Sequence, residues 1–194
     1  MLITVKDAED LLKEAEGVKK EHIRWIKHSY AVGETAKKIA LALNLDGDYA
    51  KTLGLIHDIG KMYGTIMTHD LDGYELLTSR GYDKNMAYIC LTHSFLNNDV
   101  SCTAGRIPEN NEFRNEFIKN HEYTLYERII NLCDLMCTDH VMTLEQRLIE
   151  LAIRKGIYEN TKYHLEEALK LKNEIQELLG FNLYKLFPEV IDNL

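Results

Sequence analysis

Six residues in this chain carry side chains suited to gripping a metal ion through nitrogen and oxygen: His28, His57, Asp58, His69, His93 and Asp134. Imidazole and carboxylate together suit Mn, Fe, Co, Ni or Zn. His57 and Asp58 are adjacent, within Gly54-Leu55-Ile56-His57-Asp58-Ile59-Gly60-Lys61, and the remaining four lie on separate segments. Adjacent side chains on one helix share an ion only when other helices supply further ligands, so this site is one that folding must assemble. A metal held with an open coordination position is a catalytic one, and it lowers the pKa of its water toward neutrality.

The ordered set resembles that of the HD-domain phosphohydrolase superfamily. His28 in Lys27-His28-Ser29 fits the first family histidine, His57-Asp58-Ile59-Gly60-Lys61 fits the doublet with its trailing lysine, and Asp134 in Asn131-Leu132-Cys133-Asp134 fits the last aspartate. The resemblance covers the stretch from about 28 to 134 and implies a helical bundle in which His28, His57, Asp58 and Asp134 hold one divalent ion. Superfamily members with two metals add histidines between doublet and final aspartate. On that pattern Asp58 bridges, His69 and His93 complete a second site, and two divalent transition-metal ions are expected; the other reading is a single ion with His69 and His93 outside its ligand set.

The implied activity is that of a metal-dependent phosphohydrolase, a phosphomonoesterase or phosphodiesterase that cleaves a nucleotide or other small phosphate ester with metal-activated water. Asp58 and Lys61 are the expected catalytic residues, Lys61 stabilising charge on a phosphoryl oxygen; a solvated helix-end cation is the competing reading of Lys61. Two further functions fit the same residues. One is a mixed-valence di-iron oxygenase of the HD-domain type, and the other is a non-catalytic nucleotide-binding sensor that signals through its C-terminal helices.

Composition narrows the partners. The chain has 194 residues and a formal charge of −8, which argues against a nucleic-acid duplex, because duplex affinity rests on Lys and Arg at the phosphates. A small phosphorylated, nucleotide-like substrate is expected instead. Cys90, Cys102, Cys133 and Cys137 form no CxxC pair, so reduced thiols in a cytoplasm are expected, with Cys133 and Cys137 buried one turn apart. No signal peptide or apolar run of about 20 residues marks a membrane segment.

Apolar residues recur at helical spacing and strand-like alternation is scarce, so the fold class is all-α. Helices are expected over about 4–16, 20–43, 48–63, 68–79, 83–93, 111–119, 124–137, 143–155 and 161–179, with a short terminal one over 182–187. Residues 97–112 read as a loop. The whole chain, 1–194, is expected to be one domain with a metal-binding core over about 20–140; the extension over about 141–194 covers that core or joins copies of the chain into a homo-oligomer. Asp70 and Asp72 read as helix caps or acids near the metals, and His140 with Asp139 lie close enough in sequence to Asp134 to be candidates for supporting the metal ligands. His22, His121, His140 and His164 read most simply as surface or hydrogen-bonded histidines.

Overall fold

The computed structural model describes residues 1–65 and 67–191. Among them, ten α-helices run in chain order: α1 (Val5–Val18), α2 (Ile23–Ala42), α3 (Gly47–Ile56), α4 (His69–Ser79), α5 (Lys84–Thr92), α6 (Glu112–Asn120), α7 (Leu125–Met136), α8 (Leu144–Lys155), α9 (Thr161–Leu179) and α10 (Pro188–Ile191). Short 3-10 turns occupy Lys20–His22, Ile59–Met62 and Leu183–Leu186. Extended pairing among the described residues is limited to one bridge between Cys137 and Val141, and the class is all-α as expected.

Local chemistry sets most helix ends. Thr4, Thr124 and Thr143 each accept a hydrogen bond from the backbone three residues on, while Asp7, Glu127 and Gln146 reach back to the cap's own N–H. These reciprocal caps satisfy donors that a first turn leaves open. Asp46 and Asp83 cap α3 and α5. Gly180 ends α9 in the left-handed conformation that only glycine adopts cheaply.

The helices meet closely where glycine permits it. α2 packs most heavily on α3, and a Cβ on Gly54 would lie 2.6 Å from Gly33 Cα and 2.7 Å from its nitrogen. Backbone therefore touches backbone, and His28 on α2 comes within reach of the end of α3. α4 and α5 form an adjacent pair joined by a short turn, which brings His69 at the start of α4 beside His93 at the end of α5. α8 and α9 pack against α7 and each other, so the residues beyond 140 cover the helix that carries Asp134.

Several boundaries differ from the sequence expectation. The third helix stops at Ile56 rather than running to 63, and residues 59–62 tighten into a 3-10 turn. Gly60 accounts for the change: a Cβ there would lie 2.0 Å from His69 O and 2.4 Å from Gly73 N, so this turn is pressed against the backbone of α4. At the chain's end, residues 183–186 form a 3-10 turn and Pro188 starts α10, a first-turn position where its missing N–H costs nothing. On α9 the buried stripe is His164, Ala168, Leu171 and Ile175, whereas Leu169 and Leu178 are exposed. All four cysteines are free thiols and buried. No helix among the described residues is long and apolar enough to cross a membrane.

Candidate metal centre

All six candidates arrive at one cluster from five segments. His28 comes from α2, His57 and Asp58 from the turn after α3, His69 from the first residue of α4, His93 from the residue after α5, and Asp134 from α7. Asp58 is its centre. Its Oδ2 lies 3.5 Å from His57 Nε2 and 3.9 Å from His28 Nε2, and its Oδ1 lies 3.4 Å from both His69 Nε2 and His93 Nε2. One carboxylate thus faces two sets of donors with its two oxygens. Asp134 Oδ1 joins the first set, 2.8 Å from His28 Nε2 and 3.8 Å from His57 Nε2. Two groups of donor atoms, from His28, His57 and Asp58 and from Asp58, His69 and His93, each span less than 4.8 Å.

The imidazoles are held by their far nitrogens. Nδ1 of His57 donates to Gly54 O at 2.6 Å, Nδ1 of His28 to Thr138 O at 3.0 Å, and Nδ1 of His93 to Cys90 O at 2.9 Å. A proton committed at Nδ1 leaves a lone pair at Nε2 of a neutral ring, the form that binds metal. His28 Nε2 then faces a carboxylate oxygen, and His93 Nε2 faces His69 Nε2 at 3.1 Å; atoms this close require a proton or a cation between them. His57 Nε2 is buried with no hydrogen-bond partner. An orphaned buried lone pair is costly, and a metal ion satisfies it, so the donor set fits a divalent cation.

The electrostatics agree. Burial pushes the Asp58 carboxyl up, but Lys61 and the His57 imidazole outweigh it and hold Asp58 well below the usual carboxylate range. Burial likewise opposes ionisation of Asp134, and the hydrogen bond and charge of His28 overcome it. His57 is pushed down chiefly by its complete burial, which favours the neutral ring. Burial also disfavours a charged His93, yet the hydrogen bond to Asp58 raises it: this carboxylate draws positive charge to the cluster. Lys61 is ion-paired to Asp58 Oδ2 and partly exposed, so it stands at the cluster rather than as a detached helix-end cation.

Other expectations are corrected. His140 is the surface, hydrogen-bonded histidine of its simplest reading, paired with Asp139, and of the two readings the supporting role is the one not met: the contact that segment makes to the cluster is the backbone carbonyl of Thr138 on His28. A carbonyl leaves no signature in sequence. Asp70 is buried in an ion pair with Arg114 of α6, with Nη1 to Oδ2 at 3.1 Å, and Asp72 accepts from Thr68 Oγ1 at 2.6 Å. Arg114 carried no signal in the sequence because its partner is 44 residues away. His22 donates to Ala15 O, and His121 pairs with Glu127 at 2.8 Å, as hydrogen-bonded histidines do. His164 is instead buried, its ring pushed down to about 4 by burial and by Lys155.

A family model described as the HD domain matches residues 25–152, a span that contains the whole cluster. An uncharacterized protein of Methanocaldococcus jannaschii is 33% identical over 73 residues, covering 35% of this chain and 43% of that protein. The chain therefore matches less than half the length of that relative. Among solved structures, the HD domain of the L. monocytogenes phosphodiesterase PgpH aligns with a TM-score of 0.45 at 14% identity, over 85% of this chain and 98% of that one.

Proposed function

This chain belongs to the HD-domain family, and on that premise we propose that it is a metal-dependent phosphohydrolase acting on a nucleotide or other small phosphate ester. The observation that carries the reading is Asp58, a buried carboxylate whose two oxygens face two separate histidine sets. In this reading His28, His57, Asp58 and Asp134 would hold one ion and Asp58, His69 and His93 would hold a second, Asp58 belonging to both donor sets. When bound, divalent ions supply Lewis acidity that lowers the pKa of water and neutralises charge on phosphoryl oxygens.

The chain's own residues do the rest. The carbonyls of Gly54, Thr138 and Cys90 fix the tautomers that present Nε2 inward. Burial of His57, Asp58 and His93 excludes water from the back of the cluster, which keeps the donors rigid and strengthens every charge interaction in front of it. Lys61, partly exposed beside Asp58, is placed to balance negative charge as a phosphate ester arrives. The same reading takes residues 1–194 as one domain, supported by the packing of α8 and α9 on α7.

The test is phosphate release from nucleoside mono-, di- and triphosphates and cyclic dinucleotides, with protein loaded with Mn, Co, Fe or Ni and assayed with and without oxygen. Turnover that persists without oxygen, disappears in Asp58→Ala and falls about 100-fold in a metal-replete Lys61→Ala is the expected result. Metal-loaded protein inert across the panel, or turnover that requires oxygen, overturns the proposal.

A further inference from the structure

Two successive turns of α7 face the end of α5 through polar side chains buried in an otherwise apolar core. Glu127, Asn131 and Asp134 follow one another at the spacing of one helical face, and the first two are 4% and 1% exposed. Glu127 Oε2 completes the cap of its own helix, while Oε1 accepts from Thr92 Oγ1 at 3.1 Å. Asn131 Nδ2 donates to two consecutive backbone carbonyls, Thr92 O at 2.9 Å and His93 O at 2.8 Å. Those carbonyls belong to the last residue of α5 and the residue after it, beyond the reach of donors within the helix, and Thr92 O also accepts from Phe95 N–H at 3.2 Å.

The consequence lies in what stands at each end of this grip. One end is His93, whose ring faces Oδ1 of Asp58; the other, one turn along α7, is Asp134, which faces His28 and His57. We propose that Asn131 is a positioning residue that fixes His93 relative to Asp134, and so holds the second histidine set at the right distance from the first. Asp58 joins the two sets from inside the cluster; Asn131 joins them from behind it. Both protons of the amide are spent on the chain segment that carries His93, so a loss of this donor leaves Thr92 Oγ1 on Glu127 as the tie to α7 and frees the His93 carbonyl, without touching any side chain of the cluster. The inference rests on the two-ion reading above and adds the device that makes the second site.

Co2+ titration of metal-free protein, followed by absorbance and by equilibrium dialysis, tests it. Asn131→Asp keeps the shape but sets a carboxylate against two carbonyls, and Asn131→Leu removes the donors with an apolar side chain of similar size. The expected result is two ions in the wild type and, in either folded variant, an unchanged first affinity with the second weakened about 10- to 100-fold. Asn160→Asp is the control. Asn160 is also buried and donates to Ser101 O and Thr103 O, so its variant loses the same kind of grip at a place away from His93 and keeps both affinities. A folded Asn131 variant, verified by circular dichroism, that binds both ions as the wild type does overturns the proposal; a wild type that binds a single ion overturns the two-ion reading instead.

Discussion

The Nε2 atoms of His69 and His93 lie 3.1 Å apart, although 24 residues separate them in the chain. Each is also 3.4 Å from Asp58 Oδ1, which makes the three a compact donor set distinct from the one around His57. His69→Ala removes one of its three members and none of the first set. Elemental analysis of the purified variant is expected to give one divalent ion per chain where the wild type gives two. A well-folded His69→Ala protein that retains two ions would show that this trio is not a second site.

The contact of Gly33 with Gly54 sets the distance between the helix carrying His28 and the helix leading to His57. A methyl group on Gly54 meets backbone at 2.6 Å, which no side-chain rearrangement relieves. Gly54→Ala is therefore expected to cost at least about 1–3 kcal/mol in urea unfolding and to weaken metal binding at the same time. An unchanged unfolding midpoint would mean that α2 and α3 separate freely.

Arg114 and Asp70 form an ion pair whose side chains are both 3% exposed, and Arg114 also donates to the carbonyl of Glu109. Removing one member strands the other as a buried charge. Arg114→Ala is expected to lose about 3–5 kcal/mol, and the double variant Asp70→Leu with Arg114→Met to regain more than half of that, because apolar replacement of a whole buried pair is close to neutral. The double variant being as unstable as the single one would locate the loss elsewhere than in the stranded carboxylate.

His164 gives the chain a distinctive acid response. Burial and Lys155 hold its ring down to about 4, whereas an unfolded chain protonates it near its ordinary value of 6.5. Between those two values the unfolded state binds a proton that the folded state refuses, so this contribution to stability is complete above about 6.5 and is lost as pH falls toward 4. The loss is on the order of 3 kcal/mol across the window. In metal-free protein, His164→Gln should show a shallower fall in urea midpoint between pH 7 and pH 4.5 than the wild type; parallel curves would mean that His164 titrates normally in the fold.

Much of the secondary structure was legible in the sequence because its causes are local. Thr4 with Asp7, Asp83 before α5, and the glycines at 81 and 180 act on residues within one turn of themselves. The order of His28, His57, Asp58, His69, His93 and Asp134 was legible for a different reason, since nitrogen and oxygen donors in that pattern have few other uses. The end of α3 at Ile56 was not, because the reason for it is the backbone of α4 pressed on Gly60. Nor was the burial of His164, which takes its place on the inner stripe of α9 beside Ala168.

The sequence by itself determined an all-helical chain and the chemical character of its six candidate donors, since capping, apolar periodicity and side-chain type need no distant partner. The tertiary structure decided that all six meet, that Asp58 stands between two histidine sets, and that Thr138 rather than His140 supports His28. Those outcomes depend on how closely helices approach one another. Approach is fixed by contacts such as Gly33 on Gly54 and Asn131 on His93, between residues tens of positions apart, whose pairing exists only once the chain has folded.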